Sequence, residues 1–488
     1  MEYRKKGIDR RTFLKTTSMG GASLFMTSLL SPFEFSGCTK KIETAKRPPN
    51  FIIIFTDDQG YADLGVYGAR DIETPNVDRM AEEGVKFTDF YVAASVCTPS
   101  RAALLTGCYP KRVGLQTGVL FPKDTNGLHP GEITIAESLK NEGYATACVG
   151  KWHLGRPSEL LPTSQGFDYY YGIPYSNDMT TNHPLLKTSN ESWPELPLMR
   201  NNEVIEAPVD QTTLTKRYTE ESIGFIKNNK DRPFFLYLAH NMPHYPCYSS
   251  DDFNGSSERG SYGDSVQEID AGVGRIMETL KSLGIDDKTL LIFTSDNGPW
   301  KEAATINFQG RESDGTTGSA LPLSGWKRDT LEGGMRVPAV MRWPGRIPAG
   351  SVCRELVSTM DLLPTLAVLA EADIPTDRVI DGKNISKLLK DPTGRTPHDY
   401  FYYYSIKSEK LCAVRDAQGY KLHMWRDSEG RNDDPPYEVR ELYLLPNDMG
   451  EHNNIYEQKP EIVARLREVA NDFDRELAEN TRPLGEIS

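Results

Sequence analysis

The chain of 488 residues has few cysteines, no long hydrophobic run and no excess of positive charge. Its seven cysteines form no C-x-x-C pair and follow no regular spacing, which excludes a zinc motif and a dense disulfide framework. A single bridge such as Cys108 to Cys148 stays open. The small and apolar stretch at residues 20–33 is too short to span a bilayer. A net charge of -13 argues against wholesale binding to nucleic acid.

Residues 1–37 are predicted to be an export signal peptide rather than folded structure. Asp9–Lys15, which contains Arg10 and Arg11, resembles a twin-arginine export signal. Phe35-Ser36-Gly37-Cys38 resembles a bacterial lipobox, with Phe where Leu is usual. We therefore expect an exported bacterial protein, periplasmic or lipid-anchored at the cell envelope through Cys38; the alternative is a plain signal peptide cleaved nearby. Residues 38–48 are predicted to form a polar linker.

The next part of the sequence predicts an α/β domain at residues 49–394. A content of 38% hydrophobic and 10% aromatic residues fits a soluble globular enzyme with one large core and a smaller module. Apolar runs of strand length alternate with helical segments, which favours a large doubly wound mixed sheet covered by helices on both faces. The predicted strands are 50–56, 145–150, 233–238 and 289–294, and the predicted helices are 75–83, 133–142 and 262–283.

From about residue 395 the sequence changes to short segments with strand character. These segments, with a final helix, predict a small C-terminal α+β domain at residues 395–488, whose antiparallel sheet closes over one edge of the large domain. The predicted strands are 400–404, 411–415, 420–425 and 441–445, and the helix is 461–477.

Polar residues directly follow two of the predicted buried strands. Asp57 and Asp58 follow strand 50–56, and Asp296 and Asn297 follow strand 289–294. Open α/β sheets bind ligands at the carboxyl ends of their strands, and carboxylate and amide oxygens are the ligands of a hard divalent cation. Each pair alone also fits an ordinary solvated loop or turn. Together, the two pairs favour a metal site over coincidence, although their spacing does not show that they converge.

Residues 97–107, Cys-Thr-Pro-Ser-Arg-Ala-Ala-Leu-Leu-Thr-Gly, predict a short helix. Thr98 is the expected N-cap, Pro99 suits the first helical position, and Gly107 suits the left-handed position that ends a helix. Cys97 would then lie just outside the helix N-terminus, where a thiolate, an oxyanion or a bound tetraoxyanion is stabilised, with Arg101 adding a cation. The alternative is a half-buried cysteine before an ordinary capped helix.

These segments resemble the formylglycine-dependent sulfatase family of the alkaline phosphatase superfamily. Residues 97–107 are similar to the family signature, Cys-x-Pro-Ser-Arg followed by a Leu-rich stretch ending in Thr-Gly. The resemblance runs from about residue 48 to residue 450, and residues 172–178 are similar to the arylsulfatase A and N-acetylgalactosamine-6-sulfatase branch. The other similar elements, in family order, are Gly150–Gly155, Gly172–Asp178, Pro243–Pro246, Gly325–Gly334 and Glu441–Glu451.

The resemblance implies a modified residue and a cation. A formylglycine-generating maturation enzyme would oxidise Cys97 to Cα-formylglycine, and export by the twin-arginine machinery after folding would allow this step to occur in the cytoplasm. The matching positions hold Ca²⁺, with Mg²⁺ as the alternative. Its ligands would be Asp57, Asp58, Asp296 and Asn297 with an oxygen of the modified Cys97.

The resemblance also implies the roles of the remaining polar residues. One hydroxyl of the hydrated aldehyde, activated by the cation and Asp296, would attack sulfur and form a covalent sulfate ester. His244 or Lys327 would protonate the leaving alcohol oxygen, and His153 would take the proton of the second hydroxyl and so expel sulfate. The sulfate and substrate contacts would come from Arg101, Lys151, Ser176, His244 and Lys327. Taken singly, Lys151 and Lys327 also fit a solvated strand end and a loop charge.

The expected substrate is a sulfated sugar from a host glycan or an algal polysaccharide, with sulfated GalNAc or galactose favoured. Residues 182–209 and 307–324 are expected to shape its pocket, with His183 and Arg311 as contacts or as ordinary surface charges. Two other functions stay open: a phosphonate monoester or phosphodiester hydrolase of the same superfamily, and a catalytically inactive surface glycan-binding protein. No nucleic acid is expected as a partner. Contact with a membrane is expected only through a lipid on Cys38.

Overall fold

The computed structural model describes residues 47–181, 183, 186, 192–305, 314–427 and 436–487. The predicted export signal, Cys38 and Arg311 lie outside these residues. Among the described residues, no helix combines the length and the apolar character that crossing a bilayer requires. Residues 47–488 form one compact unit by their mutual contacts. The predicted domain boundary between residues 394 and 395 therefore stays a prediction.

The described residues contain eighteen strands and nine α-helices. The strands are β1 Asn50–Thr56, β2 Val85–Phe87, β3 Phe90–Tyr91, β4 Asn126–Gly127, β5 Ala145–Gly150, β6 Tyr169–Gly172, β7 Leu198–Arg200, β8 Glu203–Glu206, β9 Phe234–Ala239, β10 Thr289–Ser295, β11 Ala339–Arg342, β12 Ser351–Cys353, β13 Val357–Ser358, β14 Tyr400–Tyr404, β15 Leu411–Asp416, β16 Tyr420–Arg426, β17 Tyr437–Leu444 and β18 Gly485–Glu486. The helices are α1 Pro75–Glu82, α2 Cys97–Thr106, α3 Ile135–Asn141, α4 Leu214–Asn228, α5 Gly260–Ser282, α6 Glu332–Met335, α7 Leu362–Ala370, α8 Ser386–Lys390 and α9 Pro460–Glu479.

Ten strands form one mixed sheet in the order β12-β2-β11-β10-β1-β9-β5-β6-β7-β8. The five central strands, β10, β1, β9, β5 and β6, pair in parallel with their neighbours. Strand β11 pairs antiparallel with β10, and β7 and β8 are added antiparallel at the other side. The register places Thr56 of β1 beside Ser295 of β10. The carboxyl ends of these two strands therefore lie at the same edge of the sheet, and so do the aspartates that follow them.

The side chains of β1 show why helices cover both faces of this sheet. Successive side chains of a strand point to opposite faces. Phe51, Ile53 and Phe55 pack into one apolar core with α2, α3 and α7, whereas Ile52 and Ile54 pack into a second core with α1, α4 and α5. Both sets are fully buried, so β1 reads as a continuous apolar run, as a central parallel strand should. The predicted doubly wound mixed sheet is confirmed.

A separate four-stranded antiparallel sheet, in the order β14-β15-β16-β17, follows near the C-terminus. Helix α9 packs on it, with Leu466 and Ala470 in the same apolar core as Val414 and Leu422. The predicted antiparallel α+β module is confirmed. Predicted and observed bounds differ by a few residues, most at β17, which begins at Tyr437 rather than at residue 441.

Candidate active site

Helix α2 begins at Cys97 itself, so the predicted cap at Thr98 is wrong. Val96 occupies the N-cap position and makes no side-chain cap. The Thr98 hydroxyl is used elsewhere: it donates to the carbonyl of His153 at 2.9 Å and accepts from the N–H of Leu120 at 3.2 Å. Gly107 ends the helix with a φ of 67°, as predicted. Cys97 therefore lies in the first turn and not outside the helix.

The Cys97 thiol is buried beside the Asp57 carboxylate and is not activated as a thiolate. Its Sγ lies 3.3 Å from Oδ1 of Asp57 and 3.8 Å from Nζ of Lys327. Burial and the Asp57 carboxylate raise the pKa of the Cys97 thiol well above its usual value. The expected stabilisation of a thiolate by the helix N-terminus is thus outweighed. Cys108 and Cys148 are both free thiols, so the bridge between them that the sequence left open does not form.

Oxygen atoms from the ends of β1 and β10 converge beside Cys97. One ligand atom each from Asp57, Asp58, Cys97 and His244 lie within 4.8 Å of one another. The N–H of Asp58 donates to Oδ1 of Asp296 at 3.1 Å. Two carboxylates about 4 Å apart repel by about 4 kcal/mol at an effective dielectric constant of 20. Burial and Asp57 accordingly raise the pKa of Asp296 to about 7.

These residues fit a divalent cation. The Asn297 amide donates through Nδ2 to Oδ1 of Asp58 at 2.7 Å. The amide oxygen of Asn297, Oδ1, is buried and has no hydrogen-bond partner among the described residues. An unpartnered amide oxygen beside three carboxylates is a donor set suited to a hard, oxygen-binding ion. All five predicted metal ligands, Cys97 included, are brought together here, and His244 joins them.

Three buried cations surround the carboxylates. Nζ of Lys151 lies 2.6 Å from Oδ2 of Asp57 and 3.1 Å from the hydroxyl oxygen of Ser176. Arg101 donates from Nε and from its terminal nitrogen to Oδ2 of Asp296, at 3.1 and 2.7 Å. Although burial disfavours the charged form, Asp57 raises the pKa of Lys151, so it remains an ammonium. Arg101 is therefore engaged with the Asp296 carboxylate, and its predicted contact with sulfate stays a prediction.

Lys327 is the third cation, and it lies beside Cys97. Its Nζ donates to Oδ2 of Asp58 at 2.8 Å. Burial disfavours the charge of Lys327, but Asp58 raises its pKa above the usual range. The site thus holds a protonated amine within 3.8 Å of the Cys97 sulfur.

Two buried histidines have defined proton positions, inferred from their partners. Nε2 of His153 lies 2.9 Å from the carbonyl oxygen of Leu120, and Nδ1 of His244 lies 2.7 Å from the carbonyl oxygen of Tyr245. A carbonyl only accepts, so these nitrogens carry the protons and the opposite nitrogens carry lone pairs. Burial and Lys151 lower the pKa of His153 well below its ordinary value, and burial and Lys327 lower that of His244. Both rings are neutral bases.

The site opens into a cavity of about 670 Å³. Five of the predicted site residues line it, Cys97, His153, Ser176, His244 and Lys327. Asp57, Asp58, Arg101 and Lys151 are buried. Among the described residues of the two segments predicted to shape it, His183 lines it and the others do not. Several residues between 194 and 207 line a separate cavity of about 370 Å³ instead. The other walls, which the sequence did not indicate, come from Val96, Thr117–Val119, Phe121, Asp178, Met179, Trp300, Glu302, Arg328, Ile406 and Lys407.

Asp178 is the most distinctive of the unpredicted residues. It is 6% exposed, and its Oδ2 lies 3.4 Å from Nε2 of His183. Burial opposes its ionisation, but His244 and a hydrogen bond from His183 lower its pKa below the usual range. The sequence could have indicated Asp178, because it is the last residue of the family-like stretch Gly172–Asp178 that also contains Ser176.

Comparison with known proteins places this site in a family. The Sulfatase family matches residues 49–372, and the C-terminal domain described as N-sulphoglucosamine sulphohydrolase matches residues 325–480. Human arylsulfatase A is 40% identical over 455 residues, covering 87% of both chains. The N-acetylgalactosamine-6-sulfatase of Canis lupus familiaris is 41% identical over 399 residues, covering 78% of this chain and 72% of that protein.

Solved structures share the architecture. The crystal structure of Ps i-CgsB in complex with k-i-k-neocarrahexaose superposes with a TM-score of 0.74 at 31% identity, covering 90% of this chain and 94% of that one. The phosphonate monoester hydrolase of Agrobacterium radiobacter is similar in fold alone, with a TM-score of 0.60 at 19% identity, covering 88% of this chain and 96% of that one. Fold and site thus define a hydrolase of the alkaline phosphatase superfamily. The chain belongs to the sulfatase family and is a sulfuric ester hydrolase.

Proposed function

We propose that this sulfatase releases sulfate from a sulfated sugar of a glycan, with Cα-formylglycine at position 97 and Ca²⁺ as its cofactors. The observation that carries the proposal is the placement of the Cys97 sulfur at the base of the cavity, 3.3 Å from Asp57 and 3.8 Å from Lys327. A thiol whose pKa is raised by burial and by an adjacent carboxylate is a poor nucleophile. Oxidation of Cys97 by a maturation enzyme would give this buried position a reactive group.

Asp57, Asp58, Asp296 and Asn297 would hold the cation, for which Mg²⁺ is the alternative to Ca²⁺. When bound, the cation and the aldehyde hydrate would together supply a nucleophile for attack on sulfur. The unpartnered Oδ1 of Asn297 supports this ligand set.

The ammonium groups of Lys151 and Lys327 would bind sulfate oxygens, and the Ser176 hydroxyl, held by Lys151 at 3.1 Å, would donate to another. Lys327 lines the cavity and would donate a proton to the leaving alcohol oxygen; the Asp58 carboxylate, 2.8 Å from its Nζ, keeps that proton on the amine before substrate binds. Nδ1 of His153 is buried with no hydrogen-bond partner among the described residues, so its lone pair is free to accept a proton when sulfate is expelled. His244 would orient the substrate oxygen.

A sugar substrate is supported by the cavity and by a structural relative. Trp300 and Phe121 give the cavity aromatic walls, and polar groups converge at its base. The relative Ps i-CgsB has been solved with a neocarrahexaose, an oligosaccharide. We also propose that the chain is exported to the periplasm or the cell envelope by the twin-arginine machinery, with Cys38 as a lipid anchor, where glycan fragments would reach it.

The test is a panel of sulfated monosaccharides and disaccharides with released sulfate as the readout. The panel includes GalNAc 6-sulfate, galactose 6-sulfate, 4-nitrophenyl sulfate and a phenylphosphonate ester. We expect sulfate release from at least one sugar and at most weak turnover of the phosphonate. Turnover of the phosphonate alone would favour the phosphonate hydrolase function. Sugar binding with no turnover of any ester by enzyme matured at Cys97 would favour the glycan-binding function, and the Cys97→Ala variant is the matched inactive control.

A further inference from the structure

We propose that Arg328 binds a second anionic group, a carboxylate or a further sulfate, on the saccharide that carries the sulfate ester, whether on the sulfated sugar or on the sugar next to it. Arg328 follows Lys327 directly in the chain, lines the active-site cavity and is exposed to solvent. The inference rests on the proposed hydrolysis of a sulfated glycan and gives it a specificity. The enzyme would favour sugars that carry negative charge beyond the sulfate that is cleaved.

The backbone of Arg328 is the first observation. Its φ of 82° lies in the left-handed region, which residues other than glycine rarely occupy. Two other residues with positive φ, Asp58 at 61° and His153 at 60°, belong to the active site. Such backbone strain persists where the surrounding structure holds a residue in place, often for function. Here the N–H of Arg328 donates to the carbonyl of Ser95 at 2.9 Å, two residues before Cys97.

The side chain of Arg328 is the second observation. Its guanidinium carbon lies 5.9 Å from the centre of the Trp300 ring, which also lines the cavity. The cations deeper in the site are matched to carboxylates, as Lys327 is to Asp58. Within the part of the chain that the structure describes, Arg328 forms no ion pair. A guanidinium presents planar, paired donors that match a carboxylate or a sulfate, and an aromatic ring below it fixes its orientation.

The charge around the cavity mouth gives the third observation. The chain carries a net charge of -13, which repels a polyanionic substrate at long range. A local cation at the mouth offsets this repulsion where the substrate enters. Glu302 lines the same cavity, is exposed, and has the opposite charge. The pair of residues therefore offers variants with opposite expected effects.

The experiment measures direct binding by calorimetry to the full chain with Cys97→Ala, which stops turnover, in buffer containing calcium. Three probes are compared: the chondroitin 6-sulfate disaccharide with one carboxylate and one sulfate, its carboxyl-reduced form, and a carboxyl-reduced form with a second sulfate. Arg328→Gly removes the guanidinium and also suits the positive φ, so its melting temperature should equal or exceed that of the parent. Arg328→Lys keeps the charge, and Glu302→Gln removes the opposing one.

We expect the parent to bind at least one doubly charged probe about fivefold more tightly than the carboxyl-reduced probe, the size of an exposed ion pair. Arg328→Gly should reduce this preference to less than about twofold, Arg328→Lys should retain part of it, and Glu302→Gln should enlarge it. A preference for only one of the two doubly charged probes shows whether Arg328 binds a carboxylate or a second sulfate. Equal binding of all three probes by the parent, or an unchanged preference in Arg328→Gly, would overturn the inference. Failure of the wild-type enzyme to release sulfate from any ester is a separate result, because it refutes the proposed function and leaves the binding ratio intact.

Discussion

The ammonium group of Lys151 lies 2.6 Å from the Asp57 carboxylate, and neither side chain is exposed to solvent. Asp57 is also 3.3 Å from the Cys97 sulfur and 3.5 Å from the Arg101 guanidinium. One carboxylate therefore connects the reactive position, the proposed cation ligands and two of the cations. Lys151 belongs to the structure of the site as well as to its chemistry.

Replacing Lys151 with Met should remove the 2.6 Å ion pair of the buried Asp57 carboxylate and leave it with weaker compensation from Arg101, 3.5 Å away. We expect the free energy of unfolding in the presence of a chelator to fall by about 3–5 kcal/mol. Saturating calcium should recover part of the loss, because a cation bound by Asp57 compensates the same charge. The measurement is denaturant unfolding with EDTA and with calcium chloride. The same loss in both conditions would show that no cation binds at Asp57.

Replacing Lys327 with Met should lower turnover of a sugar sulfate more than turnover of 4-nitrophenyl sulfate. The alcohol oxygen of a sugar needs a proton as it leaves, whereas nitrophenolate leaves without one. We expect the ratio of the two kcat/KM values to fall by about 100-fold, the lower range for a general acid. His244→Asn is the comparison variant. Nε2 of His244 carries a lone pair and no proton, so the ratio of the two kcat/KM values should change less in His244→Asn than in Lys327→Met. A larger change for His244→Asn would assign the proton donor to His244.

His240 predicts loss of stability in acid. Burial lowers its pKa from 6.5 to about 3, so the unfolded chain binds a proton more readily than the folded one between these values. Stability therefore falls as pH decreases from about 6.5 towards 3, by about 1.4 kcal/mol per pH unit for this group. His240→Gln should reduce that slope by one proton in unfolding measured from pH 7 to pH 5. Equal slopes for the wild-type protein and for His240→Gln would contradict the account.

Lys421 connects the C-terminal sheet to the loop that carries Lys327. Its fully buried Nζ lies 2.9 Å from Glu332 and 3.0 Å from Glu451, and the N–H of Glu332, five residues after Lys327, donates to Glu451 at 2.8 Å. Lys421→Met should lower the free energy of unfolding by about 3–5 kcal/mol because Glu332 and Glu451 each lose a fully buried cationic partner. Lys288→Met, at an exposed position, is the control in denaturant unfolding, and a loss of less than about 1 kcal/mol for Lys421→Met would contradict this reading.

The central sheet could be predicted because its strands are buried on both faces. Residues 50–56 and 289–295 are continuous apolar runs, and their bounds were predicted to within one residue. The short strands β2, β7 and β12 were missed, because three residues carry no readable period and form a strand only through their neighbours in the sheet. Helix α7 was missed as well; its sequence, Leu-Leu-Pro-Thr-Leu-Ala-Val-Leu-Ala, is apolar nearly all round and contains Pro364 in its first turn.

The candidate site was predicted residue by residue, but its partners were not. Asp57, Asp58, Asp296 and Asn297 each follow a predicted strand, but their convergence was implied by the family resemblance, because spacing alone does not show that β1 and β10 lie side by side. The pairing of Arg101 with Asp296, and of Thr98 with the His153 carbonyl, joins residues far apart in the chain, and local sequence does not encode such pairs. The cavity walls at Thr117–Val119 and Ile406–Lys407 were missed for the same reason.

The state of residue 97 in active enzyme tests the central claim most directly. Protein purified with sulfatase activity is digested, and the peptide spanning residues 86–112 is analysed by mass spectrometry. The account predicts an aldehyde at position 97, a peptide in which one oxygen replaces the sulfur and two hydrogens of Cys97, with activity proportional to the fraction converted. Full activity from protein in which Cys97 is an intact thiol would contradict the formylglycine mechanism.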